Sequence, residues 1–283
     1  MSGSRRGGTP SHERASRSPV RRNGLTNLHK RLSERDHQIC DYLHEHKCLT
    51  THQIADLFFN SPRSARDRLL DLYEMKLIIR FQPHARPGQG SFPYHYLLGP
   101  MGARLVAARR GIDLRGLGYR RELVEQVAFS PKLPHLLAVN TFFSRLALAC
   151  RRNCDRLEWW SETKCARQWG SIVRPDGYGV IESNIAKLRF FLEMDRGTER
   201  PWRVAEKLPR YDEVAYLESA PKLVLFCFSD LGREVAARKA FDGCALRIAT
   251  ATFEEHVEEP LGAKWLVLDS TTRQSLLEVA SDA

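Results

Sequence analysis

The sequence predicts an α+β / α/β chain, with a small three-helix unit closed by a two-stranded ribbon, a helical connector, and a mixed sheet with flanking helices. Three observations predict it. Helix-start signals recur at Ser33, Thr50 or Thr51, and Ser61-Pro62, each followed by an apolar stripe at helical spacing. A turn at Pro87-Gly88-Gln89-Gly90 separates two short strand-like runs. From Asp155 onward apolar strand patterns alternate with helical ones, the texture of a sheet covered by helices.

In the first unit, Ser33-Glu34-Arg35-Asp36 reads as an N-cap with acidic residues in the first turn, and Ile39, Tyr42 and Leu43 fall on one face up to about His46. His44-Glu45-His46, at the end of this helix, reads as solvated polar surface. Ile54, Leu57 and Phe58 form the stripe of the second helix. Pro62 opens the third at a position where its missing N–H costs nothing, and Ala65, Leu69, Leu72 and Tyr73 give its apolar side. Leu77 to Phe81 and Ser91 to Leu98 are the strands. Three helices and a two-stranded ribbon follow the order of a winged helix-turn-helix. The tract Leu69-Leu70-Asp71-Leu72-Tyr73-Glu74-Met75-Lys76-Leu77-Ile78 resembles a recognition helix running into the wing of bacterial regulators.

A helix in the major groove reads bases with its N-terminal half. Here that half carries Arg63, Ser64, Arg66, Asp67 and Arg68; Arg suits bidentate contact with guanine and Ser suits phosphate or base. The wing from Arg80 through His84 and Arg86 to Gln89 is placed to reach an adjacent groove. The competing reading is a protein-contact motif whose Arg63–Asp67 pairing is a solvated helical face, since residues 32–98 carry eight basic and eight acidic side chains.

The formal charge of +10 is concentrated elsewhere. Residues 1–31 hold eight Lys or Arg against one Glu, a net +7, in a tract rich in Arg, Ser and Gly. Such a tract buries too little apolar surface to offset its ordering entropy, so a disordered basic tail is expected, either attracting phosphate or only keeping the chain in solution. Seven cysteines, an odd number, suit reduced thiols, and Cys150 and Cys154 read as small core residues. No apolar run approaches the roughly 20 residues that cross a bilayer, and the N-terminus carries no secretory pattern, so a cytoplasmic location is expected.

Residues 99–154 read as a helical connector, with a short helix from Met101 and a long apolar one reaching about Arg152, interrupted near Pro131 and Pro134. Beyond it, Leu157 to Ser161, Tyr178 to Ile181, Leu188 to Asp195, Lys222 to Phe228, Leu246 to Thr250 and Trp265 to Leu268 read as strands. Helices are expected from near Pro209 and over Gly232 to Phe241.

Two acidic groups stand out. Asp176, in Pro175-Asp176-Gly177, precedes one strand, and Glu193-Met194-Asp195 ends the next. Acidic side chains at adjacent strand ends can converge on a divalent cation, and hard oxygen ligands suit Mg²⁺, which activates water for phosphodiester cleavage. Glu193 and Asp195 share a strand face. A working metal site held by Asp176 and Glu193, a relic of one, and surface charges with Arg196 and Lys207 as counterions all remain open.

Pro-Asp, an apolar strand and then Glu is an order similar to the PD-(D/E)xK nuclease superfamily. The tract Phe190-Phe191-Leu192-Glu193-Met194-Asp195-Arg196-Gly197-Thr198-Glu199, followed by Lys207 and Arg210-Tyr211, resembles more narrowly the bacterial replication-relaxation family. That resemblance implies a restriction-endonuclease-like domain over residues 155–283 and a role in plasmid or mobile-element replication, relaxation or mobilisation. The superfamily places Lys two residues after the Glu, where this chain has Asp195, so Lys207 is the candidate for a migrated lysine and Glu162 for a third carboxylate. The Tyr nucleophile with a His cluster usual in relaxases is not visible.

The expected function is therefore a DNA-binding accessory of replication or mobilisation. Its partners would be double-stranded DNA and a relaxase or replication initiator, with a homodimer allowed and no membrane. A Mg²⁺-dependent nuclease using Asp176, Glu193, Asp195 and Lys207 is the first alternative, and a winged-helix transcriptional regulator the second.

Overall fold

A computed structural model describes residues 31–83, 90–184, 186–197, 201–218, 220–241, 246–254 and 259–281. The expected basic tail lies outside the described residues, apart from Arg31. The first unit contains helices α1 (Glu34–His46), α2 (Thr51–Phe58) and α3 (Pro62–Glu74), with strands β2 (Ile78–Phe81) and β3 (His95–Leu98). Thr50 caps α2, its hydroxyl accepting the Gln53 N–H at 3.2 Å, and Ser61 caps α3 by accepting the Ser64 N–H. A further strand, β1 (Cys48–Thr50), joins in the sheet order β1-β3-β2. Three residues are too few for periodicity to reveal β1, whose partners Leu97, Tyr96 and His95 lie far along the chain.

Helix α4 (Pro100–Arg109) and short α5 (Arg121–Gln126) lead through a 3-10 turn (Val127–Phe129) into α6 (Leu133–Arg152). Among the described residues α6 is the helix that passes for a membrane span by length and mean hydropathy, although His135, Asn140, Thr141, Ser144 and Arg145 interrupt its apolar sequence. Half of its apolar span is buried, with Phe142, Phe143 and Leu146 fully so. Cys150 sits in the core as expected, but Cys154 is exposed; the helix has ended at Arg152, and Cys154 takes a positive φ of 61°.

The larger sheet has seven strands in the order β10-β9-β8-β7-β6-β5-β4. These are β4 (Arg156–Ser161), β5 (Gly177–Glu182), β6 (Lys187–Asp195), β7 (Leu223–Phe228), β8 (Arg247–Thr252), β9 (Trp265–Val267) and β10 (Arg273–Gln274). β6, β7 and β8 run parallel and the other neighbours antiparallel. Helices α7 (Glu162–Trp169), α8 (Pro201–Ala205), α9 (Leu208–Ala215), α10 (Leu231–Ala240) and α11 (Leu276–Ser281) complete the chain. β7 is buried throughout, which explains its unbroken apolar run Leu223 to Phe228.

The first unit and the sheet share one core. A single cluster of buried side chains runs from Ile39 and Leu72 through Phe142 to Trp265 and Val279. Phe143 stacks between Trp159 and Phe190, and each such buried ring contributes roughly 2 kcal/mol. β5 admits this packing because it is glycine-rich. A Cβ at Gly177 would stand 2.5 Å from the Phe143 ring, and one at Gly179 would stand 2.3 Å from that of Phe190.

Polar contacts lock the same seam. Gln53 donates to the Leu137 carbonyl and Thr141 hydroxyl, Asn140 to the carbonyls of His46 and Cys48, and Arg151 to those of Leu57 and Phe59. The expectation for His44-Glu45-His46 is corrected here. His46 is buried, its ring stacked on Trp159 at 3.5 Å, and burial pushes its pKa down to about 3. Glu45 accepts the Ser161 hydroxyl at 2.6 Å. The end of α1 reads as surface in sequence because the sheet that covers it is encoded more than a hundred residues later.

Candidate functional site

Glu193 lies on the interior strand β6, behind the apolar run Phe190-Phe191-Leu192, and is buried. Such a carboxylate needs partners. Lys207, at the start of α9, donates from Nζ to Glu193 Oε2 at 2.7 Å, and the Tyr211 hydroxyl donates to Oε1. Lys207 and Tyr211 are four residues apart, so one helical face presents both. Burial, and next the charge of Asp176, push the Glu193 carboxyl up to about 7 despite Lys207. The group is poised to take or release a proton near neutrality. Burial likewise raises the Tyr211 phenol well above its usual range.

Asp176 stands where the chain enters β5. Its Oδ2 accepts the Met194 N–H at 2.9 Å, and its Oδ1 lies 2.9 Å from His135 Nε2 in the first turn of α6. The hydrogen bond to Asp176 raises the His135 pKa, against an opposing contribution from burial. Asp176 and Glu193 line one pocket of about 230 Å³ together with Lys132, His135, Glu162, Asp195, Arg196 and Lys207.

The predicted residues are thus largely brought together. Lys207 meets Glu193, and Glu162, exposed at the first position of α7, faces the same pocket. Asp195 also lines it, but its carboxylate is held by Arg233 of α10 at 2.5 and 3.1 Å and by the Gly197 N–H at 2.9 Å. At the position where the resemblance expects lysine, the chain has instead an internal ion pair. His135 and Lys132 are site residues that sequence reasoning misses, and Tyr211 enters it only as part of the Lys207 and Arg210-Tyr211 tract, with no role. Tyr211 could have been found from its spacing to Lys207; His135 and Lys132 arrive from a distant helix with no local signal.

The arrangement does not fit a resident divalent cation. Both oxygens of Glu193 are engaged by Lys207 and Tyr211, and both of Asp176 by His135 and the Met194 N–H. Among the described residues no group of three or more His, Cys, Asp or Glu side chains is placed to hold a metal. The pocket is instead one in which cationic groups of the protein neutralise acidic ones, with Lys132 and Arg196 exposed at its edge.

A second candidate surface is the start of α3. Arg63, Ser64 and Arg66 are exposed, with the Ser64 hydroxyl 3.0 Å from that of Ser61. Arg68 is differently placed. Its guanidinium binds Asp36 at 2.9 and 2.7 Å, Asp71 at 3.2 Å and the Arg31 carbonyl at 3.2 Å. Burial acts to raise the Asp36 carboxyl, but hydrogen bonds from Arg68 and Ser33 together hold it below its ordinary value. Arg80 lies between the rings of Tyr73 and Tyr94, 4.4 Å from each centroid, joining α3 to the ribbon. Arg86, with His84 and Gln89, lies outside the described residues.

Compared with known proteins, residues 41–222 match the model of a family described as replication-relaxation. No curated protein and no solved structure matches the chain.

Proposed function

From the premise that the chain belongs to the replication-relaxation family, we propose that it is a DNA-binding accessory of plasmid or mobile-element replication, relaxation or mobilisation. In this reading residues 32–98 are a winged helix-turn-helix, α3 is the recognition helix, and Arg63, Ser64 and Arg66 enter the major groove of duplex DNA. The observation that carries it is the exposure of these three side chains on a helix whose opposite face, Ala65, Leu69 and Leu72, is wholly buried. In the same reading Arg80, held between two rings, contacts the backbone beside that groove. Arg68 serves the reading indirectly, by fixing α3 against α1. The test is binding to origin-derived duplex fragments at several salt concentrations. The double variant Arg63→Ala, Arg66→Ala should bind at least tenfold more weakly, taking about 1–3 kcal/mol for each base-reading arginine. Unchanged affinity across the salt series would remove the basis of the reading.

A further inference from the structure

A second pocket opens beside the first and shares Lys132, His135, Glu162 and Asp176 with it. It measures about 180 Å³ and is walled mainly by apolar side chains, among them Val127, Leu133, Leu136, Val139 and Trp159. The buried Trp159 indole N–H in that wall has no hydrogen-bond partner. At its rim the 3-10 turn carries Phe129, which is 88% exposed although its neighbours Val127 and Ser130 line the pocket. The exposed Phe129 ring stands three residues before the exposed Lys132, so the turn presents an aromatic face and a cation together. The adjoining pockets therefore offer an exposed ring, an apolar slot for one planar ring system, and the exposed cations Lys132 and Arg196.

We propose that these adjoining pockets bind a single-stranded DNA segment, with one base stacked on Phe129, the next in the apolar slot, and their phosphates against Lys132 and Arg196. Stacking rings interleaved with basic side chains are how proteins hold single strands without reading sequence. A duplex could not use the site, because its bases are already stacked on one another. The acidic side chains in the pockets do not oppose this. Asp176 pairs with His135, Glu193 with Lys207 and Asp195 with Arg233, Glu45 accepts the Ser161 hydroxyl, and Glu162 would accept an exocyclic base amine.

The inference stands apart from duplex binding by α3, and its test separates the two. Fluorescence anisotropy with a short dye-labelled deoxycytidine homopolymer should show Phe129→Ala and Lys132→Ala each weakening binding, by about tenfold for the ring. Phe129→Trp should restore it. Both positions are exposed, so the unfolding midpoints should match the parent protein. The Arg63→Ala, Arg66→Ala variant should keep single-strand affinity whatever happens to its duplex affinity. Wild-type affinity in Phe129→Ala, or no binding of the homopolymer by the parent protein, overturns the proposal.

Discussion

Lys207 Nζ stands 2.7 Å from Glu193 Oε2, joining the start of a helix to a buried carboxylate on β6. One turn later Tyr211 takes the other oxygen. The strand alone would leave Glu193 an uncompensated buried charge. The helix supplies both partners, so the site and the packing of α9 on the sheet are a single arrangement.

That arrangement predicts an unusual pH dependence. The Glu193 carboxyl lies at about 7 in the fold, above its ordinary 4.5. The folded state therefore holds the proton more tightly, and its contribution to stability is lost as pH rises from about 4.5 through 7. Glu193→Gln, which cannot ionise, should gain in thermal midpoint relative to the parent protein as pH is raised from about 5 to 8. A difference that stays flat across that range contradicts the assignment.

His135 should show its own effect. Asp176 raises its pKa, so its stabilisation is present below about pH 6.5 and lost as pH rises through the raised value. The advantage of the parent protein over His135→Gln should be largest near pH 6 and fade toward pH 9. The side chain is 37% exposed, so solvent screening keeps the effect under about 1 kcal/mol. Denaturant midpoints measured at matched ionic strength would resolve it.

The arginines of α3 should divide into two classes. Arg68→Ala strands the fully buried Asp36 without its cation and should cost about 3 kcal/mol of stability, read by urea unfolding. Arg63→Ala and Arg66→Ala should leave unfolding unchanged within about 0.5 kcal/mol, because both side chains are exposed. A destabilised Arg66→Ala would mean that this side chain is structural as well.

Gly179 should not tolerate even one added methyl group. A Cβ there would meet the Phe190 ring at 2.3 Å, in a stack of rings with no slack. Gly179→Ala should lose about 2 kcal/mol by overpacking, again from unfolding curves, whereas alanine at Gly116, whose nearest contacts are 3.3 Å away or more, should lose far less.

The three helices of the first unit were legible because their caps and stripes are local. Ser33, Thr50 and Ser61 each sit one residue before a helix, and Ile39, Ile54 and Leu69 each point into the core. The strands β5 to β8 were legible from apolar runs. The carboxylates were found because Asp176 and Glu193 end adjacent strands. His135 and Lys132 escaped because nothing near Pro131 marks a site; only the approach of α6 to the sheet makes one. His46 misled for the same reason: its neighbours in sequence are polar, and the Trp159 that covers it arrives with a later strand. α7 escaped too, because Glu162 to Trp169 is short and follows a strand without a break.

The shared core between the first unit and the sheet has a geometric consequence. With Gln53, Asn140 and Arg151 bolting α6 to the first unit, the exposed start of α3 and the Glu193 pocket are held at a set spacing by packed side chains rather than by a tether. Under the two proposals above, the molecule would act as a ruler: a duplex held at Arg63 and Arg66 would be measured off, by a fixed length and a fixed turn, against a strand entering at Lys132.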